Sequence, residues 1–177
     1  MLEVFLTLVA SAFGFAAGKL WEQYVAKRKE IGMALWKSRV GDIETRLREF
    51  YWPIYLRLQR DNIVWEKILP KNKASPEERK LARQIEEDIL LPNHAEILTI
   101  IRSGMHHVRD DKELERSLLA YVRHADVYRC LRAANIWDKD PIRFGEPYPP
   151  DFFQLIDRNV KLLQAEYDRI LLEISDG

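Results

Sequence analysis

The chain has 177 residues, about the length of one domain with its own hydrophobic core. Its 28 lysines and arginines balance 28 aspartates and glutamates, so the formal net charge is zero, although residues 1–48 carry eight basic against five acidic side chains. The single cysteine, Cys130, excludes an internal disulfide and fits a reducing compartment.

The longest apolar run of the chain, Val4 to Gly18, predicts a transmembrane helix. A span takes roughly 20 residues, so the run is short, and we expect Lys19 to reach the lipid surface and Trp21 and Tyr24 to lie among the headgroups. One alternative is a cleaved signal peptide, which the acidic Glu3 in place of a basic leader disfavours. The other is a helix buried in the core of a soluble protein.

Basic residues after the run predict its orientation. Lys27, Arg28 and Lys29 place this side in the cytoplasm by the positive-inside rule. We therefore expect a single-pass protein of the inner (cytoplasmic) membrane, in contact with lipid and with its C-terminal domain in the cytoplasm. Residues 1–20 form the predicted anchor and 21–41 a helical juxtamembrane stalk, because no helix breaker separates them.

The segment from Asp42 to Leu69 has apolar residues at the helical period, and Pro53 predicts a kink or the start of a new helix. Its aromatic residues, among them Trp52, Tyr55 and Trp65, alternate with arginines. One interpretation is a base-stacking surface for nucleic acid. The favoured interpretation is a helix face packed on the core, with the arginines in solvent.

Further helices are predicted downstream by their start signals and periodicity. Ser75 to Glu78 form a capping box with proline at the first helical position, and Asp110 or Asp111 caps another helix. A last amphipathic helix runs from Phe152 to Ile174. No segment alternates as a strand does, so the predicted fold class is all-α, with a cytoplasmic bundle of about five helices in residues 42–177.

One long irregular stretch, Ile136 to Pro150, holds four prolines and a glycine. We expect it to pack on the body of the domain, and long loops of this kind are often functional. Aromatic residues of this loop and of the earlier helical segment are candidates for binding a protein partner: Trp52, Tyr55, Trp65, Trp137 and Phe144.

The residues offer no metal site and no cofactor motif. The histidines are His94, His106, His107 and His124, and no cysteine or carboxylate stands near them at zinc-ligand spacing. Glycine-rich phosphate loops, nucleophile elbows and dinucleotide fingerprints are absent from the sequence. We therefore expect neither a metal nor a cofactor.

The stretch Arg102-Ser103-Gly104-Met105-His106-His107 has an arginine followed, after four residues, by a histidine. This pattern resembles the signature of the HEPN helical ribonuclease superfamily. The resemblance implies that His107 handles the proton of the attacking ribose hydroxyl and that Arg102 stabilises charge on the phosphate. It also implies a site completed by two subunits.

The layout as a whole, one N-terminal apolar segment before a small all-α body with such a motif, resembles the membrane-pore accessory proteins of CRISPR type VI-B systems. That resemblance implies a homo-oligomeric channel that depolarises the membrane of an infected cell. One helix cannot enclose a pore, so identical helices must lie side by side. Small residues at spacings that permit close helix packing are Ala10, Gly14, Ala17 and Gly18.

The predicted function is an oligomeric, membrane-anchored effector or accessory protein of bacterial antiphage defence, pore-forming rather than enzymatic, with a defence-system protein as a candidate partner. The first alternative is a membrane-tethered HEPN-like ribonuclease. The second is a non-enzymatic membrane scaffold that docks a protein. Nucleic acid is a less favoured partner.

Overall fold

The computed structural model describes residues 2–69, 75–109 and 111–175, and within these ranges it describes side chains from residue 18 to residue 173. In the described ranges the secondary structure is helical and contains no strand, which confirms the all-α prediction. The α-helices are α1 Leu2–Arg46, α2 Trp52–Ile63, α3 Pro76–Ile85, α4 Leu91–Gly104, α5 Lys112–Ala133 and α6 Phe152–Ser175. Two short 3₁₀-helices cover Met105–His107 and Pro141–Phe144.

Among the described residues, no helix has a stretch that is long and apolar enough to cross a membrane. The predicted span falls within α1, but the side chains of its residues 4–17 lie outside the described part of the chain.

The chain divides into two compact units, Met1–Asp42 and Ile43–Gly177. In the first unit, α1 exposes Leu20, Tyr24, Ile31 and Leu35 to solvent, and Leu35 keeps 67% of its surface accessible. Because their spacings of four, seven and four residues follow the 3.6-residue helical period, these side chains share one side of the helix. Lys27 lies on the same side, between Tyr24 and Ile31. We call the four apolar side chains the α1 apolar face.

In the second unit, α2 packs on α4 and α6, and α5 packs on the same two helices, which makes a four-helix bundle. Large residues at the helical period of each member fill its centre. Among the described residues, the large core side chains with at most 1% of their surface accessible are Phe50, Tyr51, Ile54, Leu58, Ile97, Leu98, Ile101, Leu114, Leu118, Tyr121, Phe152, Ile156 and Ile170. A smaller cluster lies beside the bundle around α3, where Val64, Leu69, Ala82, Ile85 and Leu90 are buried together.

Three π-helical segments of the described chain each end two residues before a proline. Leu47–Tyr51 precedes Pro53, Val64–Ile68 precedes Pro70, and Glu86–Leu90 precedes Pro92. A proline has no N–H, and its ring clashes with the carbonyl four residues back, so the wider i to i−5 hydrogen bond of a π turn accommodates it. The irregularity predicted at Pro53 is thus confirmed as a π turn, after which α2 begins at Trp52.

Two helix starts have the caps that the sequence predicts. The Ser75 hydroxyl accepts from the Glu78 N–H at 3.1 Å, and the Glu78 carboxylate accepts from the Ser75 N–H at 2.9 Å. Asp111 caps α5 by accepting from the Leu114 N–H at 3.0 Å. Of the two predicted caps for α5, Asp111 is therefore confirmed, and Asp110 lies outside the described residues.

The irregular segment between α5 and α6 is fixed at both ends. At its start, Asn135 adopts the left-handed conformation at φ 58°, and Arg132 donates to the carbonyl oxygens of Ile136 at 2.8 Å and Lys139 at 2.9 Å. Further on, Gly145 has φ 77°, a value that favours glycine. The Glu146 carboxylate pairs with Arg123 at 3.0 Å. The loop is thereby held against α5, as its prolines and aromatic residues suggest.

Candidate functional site

A cavity of about 350 Å³ lies in the second unit, where α2, α4 and α5 meet the loop that precedes α6. We call it the histidine cavity, because one imidazole from α4 and one from α5 line it. Its volume is within the usual range for small-molecule pockets. The lining residues are Asp61, Asn62, Trp65, Leu90, His94, His124, Tyr128, Asp140, Pro141, Ile142 and Tyr148.

His94 is the buried polar residue on the α4 side. Its Nε2 lies 3.5 Å from Oδ2 of Asp61, and the other oxygen of that carboxylate accepts from the Asn93 amide at 2.7 Å. Because a carboxylate only accepts, the neutral imidazole carries its proton on Nε2 and its lone pair on Nδ1. That Nδ1 is buried and has no hydrogen-bond partner among the described residues.

His124 presents the opposite nitrogen. Its Nδ1 lies 2.9 Å from the backbone carbonyl oxygen of Glu146, which can only accept, so Nδ1 carries the proton and Nε2 is the acceptor. Burial lowers the pKa of His124, against the raising effect of that carbonyl. His124 is therefore neutral at neutral pH and has one acceptor nitrogen.

Aromatic rings surround both imidazoles. The ring of His124 stacks on that of Tyr128 with an interplanar angle of 15°, and it meets the ring of Tyr148 edge-on at 5.5 Å between centroids. Burial and the negative charge of Glu86 raise the pKa of Tyr128, so its hydroxyl stays protonated. Behind this layer, the fully buried Tyr121 hydroxyl also has no hydrogen-bond partner among the described residues.

The charged side chains among the described lining residues of the histidine cavity are acidic. Asp61 and Asp140 contribute carboxylates, and none of the described lining residues is lysine or arginine. Serine and cysteine, the usual side chains for nucleophilic catalysis, are also missing from the described part of the lining. In the described part of the chain, no group of three or more His, Cys, Asp or Glu side chains is placed to hold a metal ion. The arrangement is suited to accept hydrogen bonds from a small molecule.

Arg132 fixes the loop wall of the histidine cavity. Its Nε donates to the Glu86 carboxylate at 2.8 Å, and both side chains are buried. The guanidinium also lies over the rings of Tyr128 at 4.5 Å and Trp137 at 5.2 Å. One side chain thus joins α5 to the segment before α4 and to the start of the loop that carries Asp140.

The structure places Arg102 and His107 in different surroundings. The Arg102 guanidinium donates twice to the exposed carboxylate of Asp126, at 2.9 and 3.0 Å. His107 is buried, with its ring 6.0 Å from that of Phe50 and 4.0 Å from that of His106. Arg102 thus has an acidic partner, and His107 packs on the core. The catalytic role of these two residues stays a prediction.

The predicted partner residues are scattered over the second unit. Trp52 lines an open groove between the start of α2 and α6, and Tyr55 stacks on Phe153 at 5.6 Å. Trp137 lies beneath the guanidinium of Arg83 at 4.2 Å. The other two are the exposed Phe144 and Trp65, and only Trp65 lines the histidine cavity.

The small residues predicted to pack in a membrane belong to the first unit. The side chains of Ala10 and Ala17, and the surroundings of Gly14, lie outside the described residues. Gly18 is exposed, and a Cβ atom placed there would meet no atom within 4 Å. Their role in helix packing stays a prediction.

No motif in the sequence indicates the histidine cavity. Its polar residues come from four distant segments and follow no motif spacing, so only the packing of the bundle brings them together. The signal that came nearest was the proline-rich loop, which supplies Asp140, Pro141, Ile142 and Tyr148. No family model matches the chain, and neither a curated protein nor a solved structure matches it.

Proposed function

We propose that this protein is a membrane-anchored effector that binds a small molecule in its helical domain and acts as a homo-oligomer. The histidine cavity is the observation that carries the proposal. It has the volume of a ligand pocket, aromatic walls and a buried acceptor nitrogen on His94 that has no partner among the described residues.

Binding suits the histidine cavity better than turnover does. The pairing of Asp61 with His94 is the kind that orients a general base, but covalent catalysis would also need a nucleophilic side chain beside it. No serine or cysteine is among the described lining residues. The simplest role for the two imidazoles is therefore to recognise a ligand.

Attachment to the inner membrane is the second part of the proposal, with the helical domain in the cytoplasm. The apolar run from Val4 to Gly18 and the basic residues Lys27 to Lys29 support it. Trp21 and Tyr24 are exposed on α1, with 6.0 Å between their ring centroids, as suits side chains at a lipid surface.

Self-association is the third part, and the α1 apolar face supports it. Exposed apolar side chains that share one side of a helix favour burial against another surface. A second copy supplies an identical face, so several α1 helices can lie side by side along the juxtamembrane stalk. The resemblance to pore accessory proteins suggests the setting: a defence effector whose channel the ligand controls.

The experiment compares three forms of the full chain: the wild type, Leu35→Glu on the α1 apolar face, and Ala26→Glu on the opposite side of α1. Each is extracted from membranes, its particle mass is measured, and dye uptake by the expressing cells is followed. We expect an oligomer and dye uptake for the wild type and the Ala26 variant, and loss of both for the Leu35 variant. A monomeric wild type without dye uptake would overturn the oligomeric effector.

A further inference from the structure

The acceptors of the histidine cavity outnumber its charged donors. His124 has one acceptor nitrogen, and so has the singly protonated ring of His94, because the other nitrogen faces the Glu146 carbonyl or the Asp61 carboxylate as a donor. Two carboxylates also line the wall, and no lysine or arginine is among the described lining residues. A ligand with several N–H groups satisfies such a surface, whereas an anion finds no charged donor among the described lining residues.

The aromatic walls favour the same class of ligand. Trp65, Tyr128 and Tyr148 line the cavity with rings, and an aromatic face attracts a cation within about 6 Å. The carboxylates and the ring faces therefore both favour a cationic ligand. An uncharged apolar ligand would gain from the rings but would leave the buried Nδ1 of His94 without a donor.

We infer that the histidine cavity binds a small organic cation rich in N–H donors, an amine or an amidine with a planar apolar part. This rests on the proposed function, because it names the chemical class of the ligand that the effector senses. The charged end lies towards Asp61 and the two imidazole acceptors, and the planar part lies against the tyrosine and tryptophan rings.

The experiment uses three probes of similar size and different charge: benzamidine, benzoate and benzyl alcohol. Binding to the full chain in lipid nanodiscs is followed by ligand-observed NMR and by thermal unfolding. Because hydrogen bonds to charged groups are stronger than neutral ones, we expect benzamidine to bind at least about tenfold more tightly than either other probe.

Three variants locate the binding. Ile142→Trp enlarges an exposed lining side chain and should block all binding without disturbing the core. Asp61→Asn removes a charge from the cavity and should weaken benzamidine about tenfold. Asp126→Asn removes a carboxylate from the surface of α5, outside the cavity, and should change nothing.

The outcomes distinguish the assigned ligand class from the ligand-sensing function itself. If benzoate or benzyl alcohol binds as tightly as benzamidine and Ile142→Trp blocks it, the cavity remains a ligand site and the assigned cation class is wrong. If no probe binds, or if Ile142→Trp leaves binding unchanged, both the cation assignment and the ligand-sensing function are overturned.

Discussion

The guanidinium of Arg132 donates to the carboxylate of Glu86 at 2.8 Å, with 6% and 5% of their side-chain surfaces accessible. Replacing Arg132 by Met leaves the Glu86 carboxylate buried without this cation and removes two donors to the loop backbone. We expect the free energy of unfolding to fall by about 3–5 kcal/mol, measured by urea titration.

Two further variants check this interpretation. Glu86→Leu combined with Arg132→Met should recover much of the loss, because no buried charge remains. Arg102→Met, which breaks the exposed pair with Asp126, should cost less than about 1 kcal/mol. Equal losses from Arg102→Met and Arg132→Met would contradict the importance assigned to burial.

The lowered pKa of His124 makes the folded protein less stable as the pH falls. As pH falls below about 6.5, the unfolded chain takes up a proton at this position while the folded protein does not. The unfolded state therefore binds more protons, and its free energy falls relative to that of the folded state. The contribution of His124 is complete above about pH 6.5 and is lost as pH falls towards its folded pKa.

We expect His124→Asn, which keeps an N–H near the Glu146 carbonyl, to reduce the stability difference between pH 7.5 and pH 5.5 in urea titrations. His106→Asn is the matched control, because His106 is exposed and should leave the difference unchanged. An unchanged pH slope in the His124 variant would remove this residue as the titrating group.

Gly104 is required by close packing. A Cβ atom at this position would collide with the Phe50 ring, which is fully buried in the core. Gly104→Ala should therefore lower the free energy of unfolding by about 1–3 kcal/mol. At Gly32 in α1 the same change meets open space and should be neutral or stabilising, by up to about 1 kcal/mol. Chemical denaturation of both variants measures the difference.

RNA cleavage distinguishes the proposed function from the HEPN-like alternative. Because Arg102 is paired with Asp126 and His107 is packed against Phe50, we expect no cleavage of labelled single-stranded RNA by the full chain. The His107→Gln variant should behave as the wild type does. Cleavage by the wild type that is lost in both His107→Gln and Arg102→Gln would establish the alternative.

Local signals predicted most of the helical architecture. Ser75 and Asp111 act through hydrogen bonds to residues three positions away, so their sequence neighbours are enough to identify them. The α-helical period likewise predicts which sides of the helices are buried. Pro53 alone predicts an irregularity in the helix. That the irregularity is a π turn depends on how the packed bundle accommodates the extra residue of such a turn.

The histidine cavity could not be predicted in this way. His94 and His124 lie on different helices, and the nitrogen that each one presents depends on Asp61 and on a loop carbonyl brought close by tertiary packing. In the same way, Arg102 and His107 fit a motif by spacing, while their contacts depend on Asp126 and Phe50.

The π turn at Leu47–Tyr51 determines how the fold responds to the insertion or deletion of a residue nearby. A π turn contains one residue more than the α-helical turn it replaces. Deleting one residue there would therefore restore an α turn and keep Ile43 on the buried side of the helix, but the Pro53 ring would then clash with the carbonyl four residues back. Deleting one residue between Ile43 and Leu47, where the helix is regular, would instead turn Ile43 by about 100° around the helix axis and move it out of the core.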